Sequence, residues 1–317
     1  MPDPDNPKMG WTVDDDDAYF RDRGDAPSRR LSADPAGGLA DYPDVAAHQI
    51  DLWRVPARLF NATSWGQWVT DSVTPEPGRL AEFDSASGRL GINRAYLRRL
   101  EAGLKNEPEG YPGRPRALAA QRWRRVLRIA AAAAFHEAIH SLGPADRRQF
   151  ILEREQTQAA PGGRNFEEGL TQLATLLFLD DYMDGMGLAR APTGTPQAPI
   201  ASYEGQTAYV LAIAEALAPD AETDVRGVVA TLVGDGSSVA ALRRLIQRSL
   251  ARSHGIVDPG YSRRVADYLI TPLAKIEAGT PEDVVRKLAT RAVAGANLAV
   301  MLDEAPLVHH GGPHGLT

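Results

Sequence analysis

The amino-acid sequence predicts an α+β protein that is predominantly helical, with a small β-hairpin or sheet in its core and an all-helical C-terminal lobe. Three observations carry that expectation. Apolar residues recur at helical spacing from Val45 onward and again, helix after helix, through 202–302. Two short alternating runs within 79–93 flank Asp84-Ser85-Ala86-Ser87-Gly88, the pattern of a hairpin with a glycine-containing loop. Proline and glycine stand where helices would start and stop. Thr280-Pro281-Glu282-Asp283, for example, combines an N-cap, a proline at the first helical position and acids in the first turn.

Residues 1–44 are rich in Asp, Pro, Gly and Arg and include four consecutive aspartates at 14–17. Such a segment buries too little apolar surface to offset its ordering entropy, so it is expected to be a disordered acidic tail. Trp11, Tyr19 and Phe20 are its candidate anchors should it dock on a partner protein. A core is expected over 45–199. It opens with a helical stretch that Pro56 should end or kink, followed by Trp65 and Trp68 as packing residues. The hairpin comes next, then a short amphipathic helix over 94–103 and a Pro/Gly loop over 105–115. A long helix is expected over 115–142, stopped by Gly143-Pro144. Its first half sets Arg122, Arg124, Arg125 and Arg128, read as a solvated face, against Leu118, Trp123, Val126 and Leu127. Its second half is apolar nearly all round, as in a helix that enters a core. A short helix over 147–155 and a longer one over 166–182 precede a Gly/Pro/Thr linker over 185–199. The helical lobe, 200–303, should hold helices at 203–217, 225–232, 239–252, 261–278 and 281–302, with a flexible tail over 304–317. The chain shows no internal repeat.

The net charge of −6 argues against a nucleic-acid partner, which calls for a basic face. The absence of cysteine excludes disulfides, thiolate metal sites and a cysteine nucleophile together. The N-terminus lacks the basic start and apolar run of a secretory signal, and no apolar stretch is long enough to cross a bilayer. The expectation is a protein without membrane insertion, cytoplasmic or exported by a non-Sec route.

The chemistry is concentrated in Phe135-His136-Glu137-Ala138-Ile139-His140. Residues four apart share a helix face, so His136 and His140 can aim both imidazoles at one point, half of a tetrahedral zinc site. Glu137 lies beside them, placed to take a proton from a metal-activated water. An otherwise apolar helix has no structural use for these three residues. An unpartnered carboxylate there would cost several kcal/mol, on the order of the desolvation of a buried charge.

Downstream, in Asn165-Phe166-Glu167-Glu168-Gly169-Leu170-Thr171, the chain resembles the gluzincin metallopeptidases, on the match Glu168-Gly169-Leu170-Thr171. The resemblance covers about 79–182. It implies a zincin-like core, one Zn2+ per chain held by His136, His140 and Glu168, and Glu137 as general base. The implied activity is zinc-dependent endopeptidase action on a protein or peptide substrate. It further implies that the strand at Arg89, Leu90, Gly91 and Ile92 binds extended substrate by strand addition. A Tyr or His should donate to the oxyanion, for which Tyr203, His254 and Tyr261 are candidates. Thr171, Gln172 and Thr175 lie along the Glu168 face as possible partners of the imidazoles. The residues themselves leave alternatives open. Asn165-x-x-Glu168 also fits a capping box, and Glu167 could be the ligand in place of Glu168. Rival functions are a non-catalytic scaffold for binding or assembly and a zinc amidase acting on a peptidoglycan-type amide.

Overall fold

The computed structural model describes residues 42–65, 81–84, 89–92, 94–105, 116–188, 203–255, 258–277 and 279–304. Most of the expected acidic tail, Trp68, the 106–115 loop, most of the linker and nearly all of the C-terminal tail lie outside them.

The chain opens with α1 (Pro43–Ala47) and α2 (Gln49–Leu59). Pro56 lies inside α2 instead of ending it. Burial of Trp53, Val55 and Phe60 holds the helix on the core despite the amide hydrogen that Pro56 lacks. Strand β1 (Thr63–Ser64) follows, then β2 (Ala81–Asp84) and β3 (Arg89–Ile92), which form the expected hairpin with Phe83 opposite Leu90. Next come α3 (Arg94–Leu104) and the long α4 (Arg116–His140). Helix α4 ends at His140, short of the expected 142, because Leu142 and Gly143 form β4 and pair antiparallel with Ser64 and Thr63. Trp65 reinforces that junction: its amide donates to the Ser141 carbonyl at 2.9 Å and its indole to the Pro144 carbonyl at 2.8 Å.

The remainder is helical: α5 (Arg147–Ala159), α6 (Gly163–Gly185), α7 (Glu204–Leu217), α8 (Val225–Gly234), α9 (Val239–His254), α10 (Pro259–Ile270), a 3-10 turn (Thr271–Lys275) and α11 (Glu282–Glu304). Aspartates or a serine cap four of these starts: Asp146, Asp224, Ser238 and Asp258 each accept from a first-turn amide.

Helices α4 and α6 form the axis of the molecule. Helix α4 packs against α2, α3, β2 and β3 as well as α6, and α6 also carries α7, α8 and α5. Ala130, Ala131, Ala134 and Ala138 are fully buried on α4, and their small side chains permit close approach from all sides. One cluster of buried side chains runs from Tyr42 to Ala296 and includes residues of both expected regions, 45–199 and 200–303. The arginine face of α4 is not wholly solvated. Arg128 is buried and ion-paired to Asp180 near the end of α6. Asp181 pairs with Arg226, whose guanidinium lies 4.0 Å from the Phe178 ring centre.

Candidate metal centre

The last turn of α4 presents His136 and His140 from one face, both buried, with ring centres 5.0 Å apart. Glu168 comes to meet them from the first turns of α6. Three donor atoms converge. His136 Nε2 lies 3.3 Å from His140 Nε2 and 3.4 Å from Glu168 Oε2, and His140 Nε2 lies 3.5 Å from that same oxygen. The donors of a tetrahedral ion with bonds of about 2.0–2.1 Å are themselves about 3.3–3.4 Å apart. The nearly equilateral triangle therefore has the size of one face of such a coordination sphere. As hydrogen bonds these separations are long against a usual N–H···O distance of about 2.9 Å.

The other edge of His140 supplies the tautomer. Its Nδ1 is 2.9 Å from Glu167 Oε1, a distance at which the ring N–H donates to the carboxylate. With Nδ1 committed to Glu167, Nε2 is the nitrogen of His140 that faces the triangle, beside His136 Nε2 and a carboxylate oxygen. A cation fits that arrangement. The buried His136 Nδ1 has no hydrogen-bond partner among the described residues. The residues present thus fit a divalent metal held by two imidazoles and a carboxylate, a His-His-Glu group.

Local structure bears on the readings the sequence leaves open. Helix α6 begins at Gly163, so Asn165 is already inside it. Gly162 precedes with φ +75°, and a Cβ there would meet the Ile270 carbonyl oxygen at 2.0 Å. Asn165 turns its amide to the Leu273 and Ile276 carbonyls, at 2.7 and 3.3 Å. No capping box forms between Asn165 and Glu168. Glu167, a neighbour on the helix and so turned about 100° away, serves the outer nitrogen of His140 instead of joining the triangle. Thr171 and Gln172 are buried, and Thr175 donates to the Thr171 carbonyl at 2.8 Å, so the partner found for an imidazole is Glu167.

Sequence reading missed one participant. Arg154 on α5 is buried, forms a 2.6 Å ion pair with Glu167 and donates to the His140 backbone carbonyl. Its guanidinium also lies over the Phe83 and Phe150 rings, at 5.7 and 5.5 Å. In sequence, Glu153-Arg154-Glu155 looks like any solvated helical surface, and no local signal marks it.

Charges follow this geometry. Burial disfavours the ionised forms of Glu167 and Glu168, yet both are held below the ordinary carboxylate range. For Glu167 the guanidinium of Arg154 and then His140 outweigh burial; for Glu168 the two histidines do. Burial also opposes charge on His140, but Glu167 and Glu168 outweigh it and push the imidazole up to about 10 in the metal-free protein.

Of the three oxyanion candidates, Tyr203 is the one whose ring meets the cluster. It immediately precedes α7, and its ring lies parallel to that of His136, 5.9 Å between centres and 9° between planes. Burial, with the charges of Glu168 and Glu137, pushes its phenol up to about 12, so it remains a neutral donor. Tyr261 is buried at the start of α10, a helix packed on α9 and α11, and carries the Arg264 guanidinium over its ring at 5.2 Å. His254 is the last residue of α9. In β3, Leu90, Gly91 and Ile92 are buried against the core, and β2 is the strand paired with β3 among the described residues. Glu137 is half-buried, one residue on from His136.

Fold and site together define a class: a mostly helical chain with a small antiparallel hairpin and a His-His-Glu group of metal-binding dimensions between two core helices. Comparison with family models, with curated proteins and with solved structures finds no match.

Proposed function

We propose that the protein is a zinc-dependent endopeptidase. The reading is carried by the triangle of donor atoms, 3.3–3.5 Å on a side, on a helix that also bears Glu137. His136, His140 and Glu168 would hold the metal. Two imidazoles and one carboxylate suit zinc, and three protein donors leave a position open, the pattern of a catalytic site as opposed to a structural one. When bound, zinc supplies a Lewis acid that polarises a substrate carbonyl and brings the pKa of a coordinated water to about 7.

The chain's own residues would do the rest. Glu137 is half-buried on the turn that carries both histidines, where it would accept a proton and later return it to the leaving amine. Tyr203, held neutral beside His136, is a donor for the oxyanion that develops on the scissile carbonyl. The hairpin strand β3, packed against α4, would take an extended peptide along its backbone edge. No described helix is long and apolar enough to cross a membrane.

The test is metal analysis joined to one substitution. The purified protein should carry about one zinc per chain, and Glu137→Gln should keep that zinc while hydrolysis of a peptide library falls by about 10²–10⁴-fold. Wild-type protein without zinc overturns the metal centre. Wild type and Glu137→Gln behaving alike on every peptide overturns the catalytic reading and favours a binding scaffold.

A further inference from the structure

We propose that Arg154 is a positioning residue that decides which of two adjacent glutamates becomes the metal ligand. The inference rests on the metal-binding part of the reading above and not on the hydrolysis.

Glu167 and Glu168 both reach the His140 ring, from opposite edges: Glu167 at Nδ1, 2.9 Å away, and Glu168 at Nε2, 3.5 Å away. Either nitrogen of an imidazole can bind a metal, and each here faces its own carboxylate, so Nδ1 with Glu167 and Nε2 with Glu168 are alternative ligand pairs. Arg154 removes that choice. One amino group of its guanidinium holds Glu167 Oε1 at 2.6 Å, and the other donates to the backbone carbonyl of His140 itself. A rigid fork thus spans the residue that carries the ring and the carboxylate that orients it. Arg154, Glu167 and His140 are all at most 9% exposed, so water does not compete for these contacts.

The charge balance points the same way. Paired with Arg154, Glu167 adds no net negative charge beside the triangle, whereas Glu168 has the two histidines as its partners. A bound ion therefore meets one uncompensated carboxylate rather than two. Helix α5 contributes no atom to the triangle, yet through Arg154 it would set which nitrogen of His140 and which glutamate face the metal.

The experiment uses full-length protein with zinc(II) or cobalt(II) alone, read by chelator competition and by cobalt absorption, which reports coordination geometry. Arg154→Met should weaken metal binding about 10- to 100-fold, the usual effect of losing a partner that orients a ligand. Arg154→Lys should fall between, since an ammonium reaches one acceptor where the fork reaches two. Because Arg154→Met leaves Glu167 buried without its cation and could unfold the protein, the deciding variant is Arg154→Met in a Glu167→Gln background, which removes both charges. There, loss of Arg154 should cost no further affinity beyond that of Glu167→Gln alone. Additive losses, or an unchanged affinity and cobalt spectrum in Arg154→Met, overturn the proposal while leaving the metal centre intact. A wild-type protein that binds neither ion overturns the metal centre and this role together.

Discussion

At His140, two carboxylates compete with burial for one proton, and the carboxylates win: the imidazole rises from an ordinary 6.5 to about 10 without metal. A group whose folded value is raised stabilises the fold fully below its unfolded value and loses that contribution as pH climbs through the folded one. The metal-free protein should therefore lose stability from this source between pH 6.5 and about 10. A metal must displace the same proton, so its affinity should rise across that window. Thermal midpoints of metal-free and zinc-loaded protein, compared over about pH 6–8, should draw apart as pH increases. A gap that stays constant or narrows would show that no proton leaves His140 when metal binds. Glu137 and the two histidines were legible in sequence because their spacing is local to one helix. That Glu168 and not Glu167 lies in the donor triangle was not, since it depends on where α6 begins and on how that helix meets α4.

Among the elements, α7 shows how packing reaches the site. Gly169 follows Glu168 directly, and a Cβ there would stand 2.7 Å from the Gln206 carbonyl oxygen and 2.8 Å from its carbon. That oxygen belongs to the first turn of α7, just after Tyr203, so the missing side chain lets α7 approach and carries Tyr203 to His136. Gly169→Ala must push backbone, not a flexible side chain, and should destabilise by about 1–3 kcal/mol as overpacking does. On the proposed function, zinc content should persist, because the three donors lie on α4 and α6, while hydrolysis falls as Tyr203 shifts. Unchanged melting and unchanged activity would show that α7 does not govern the site. The same contrast explains what was readable at this scale. The hairpin over Ala81–Asp84 and Arg89–Ile92 and the helices announced themselves through period and punctuation. The two-residue strands Thr63–Ser64 and Leu142–Gly143 did not, since neither has a pattern of its own and each exists through the other. Pro56 does not end its helix for a related reason: a local stop signal is overridden by the burial of Trp53, Val55 and Phe60.

For the whole molecule the question is whether the residues after 200 form a lobe of their own, and two tie-lines answer through stability. The first is apolar: one buried cluster joins Tyr42 to Ala296, with α7 packed on both α6 and α11. The second is polar: Glu153 on α5 is buried and accepts from Arg244 at 2.7 and 3.1 Å, from Gln149 at 2.8 Å and from Ser238 at 3.1 Å, which ties α5 to α9. Burial raises the Glu153 pKa, but Arg244, Gln149 and Ser238 outweigh it and leave the carboxyl below its ordinary 4.5. A depressed carboxyl contributes stability above its unfolded value and loses it as pH falls through the folded one, so this tie should weaken below pH 4.5. Glu153→Gln should lower the midpoint at neutral pH and flatten its acid slope; an unchanged slope would mean Glu153 is not what acid breaks. With both ties intact, calorimetry at neutral pH should give a single transition whose calorimetric and van't Hoff enthalpies agree. Zinc should move that entire transition upward rather than one part of it, because the helices holding the donors are also those on which the later helices pack. Two separated transitions, with zinc shifting one alone, would instead mark the residues after 200 as an independently folding lobe.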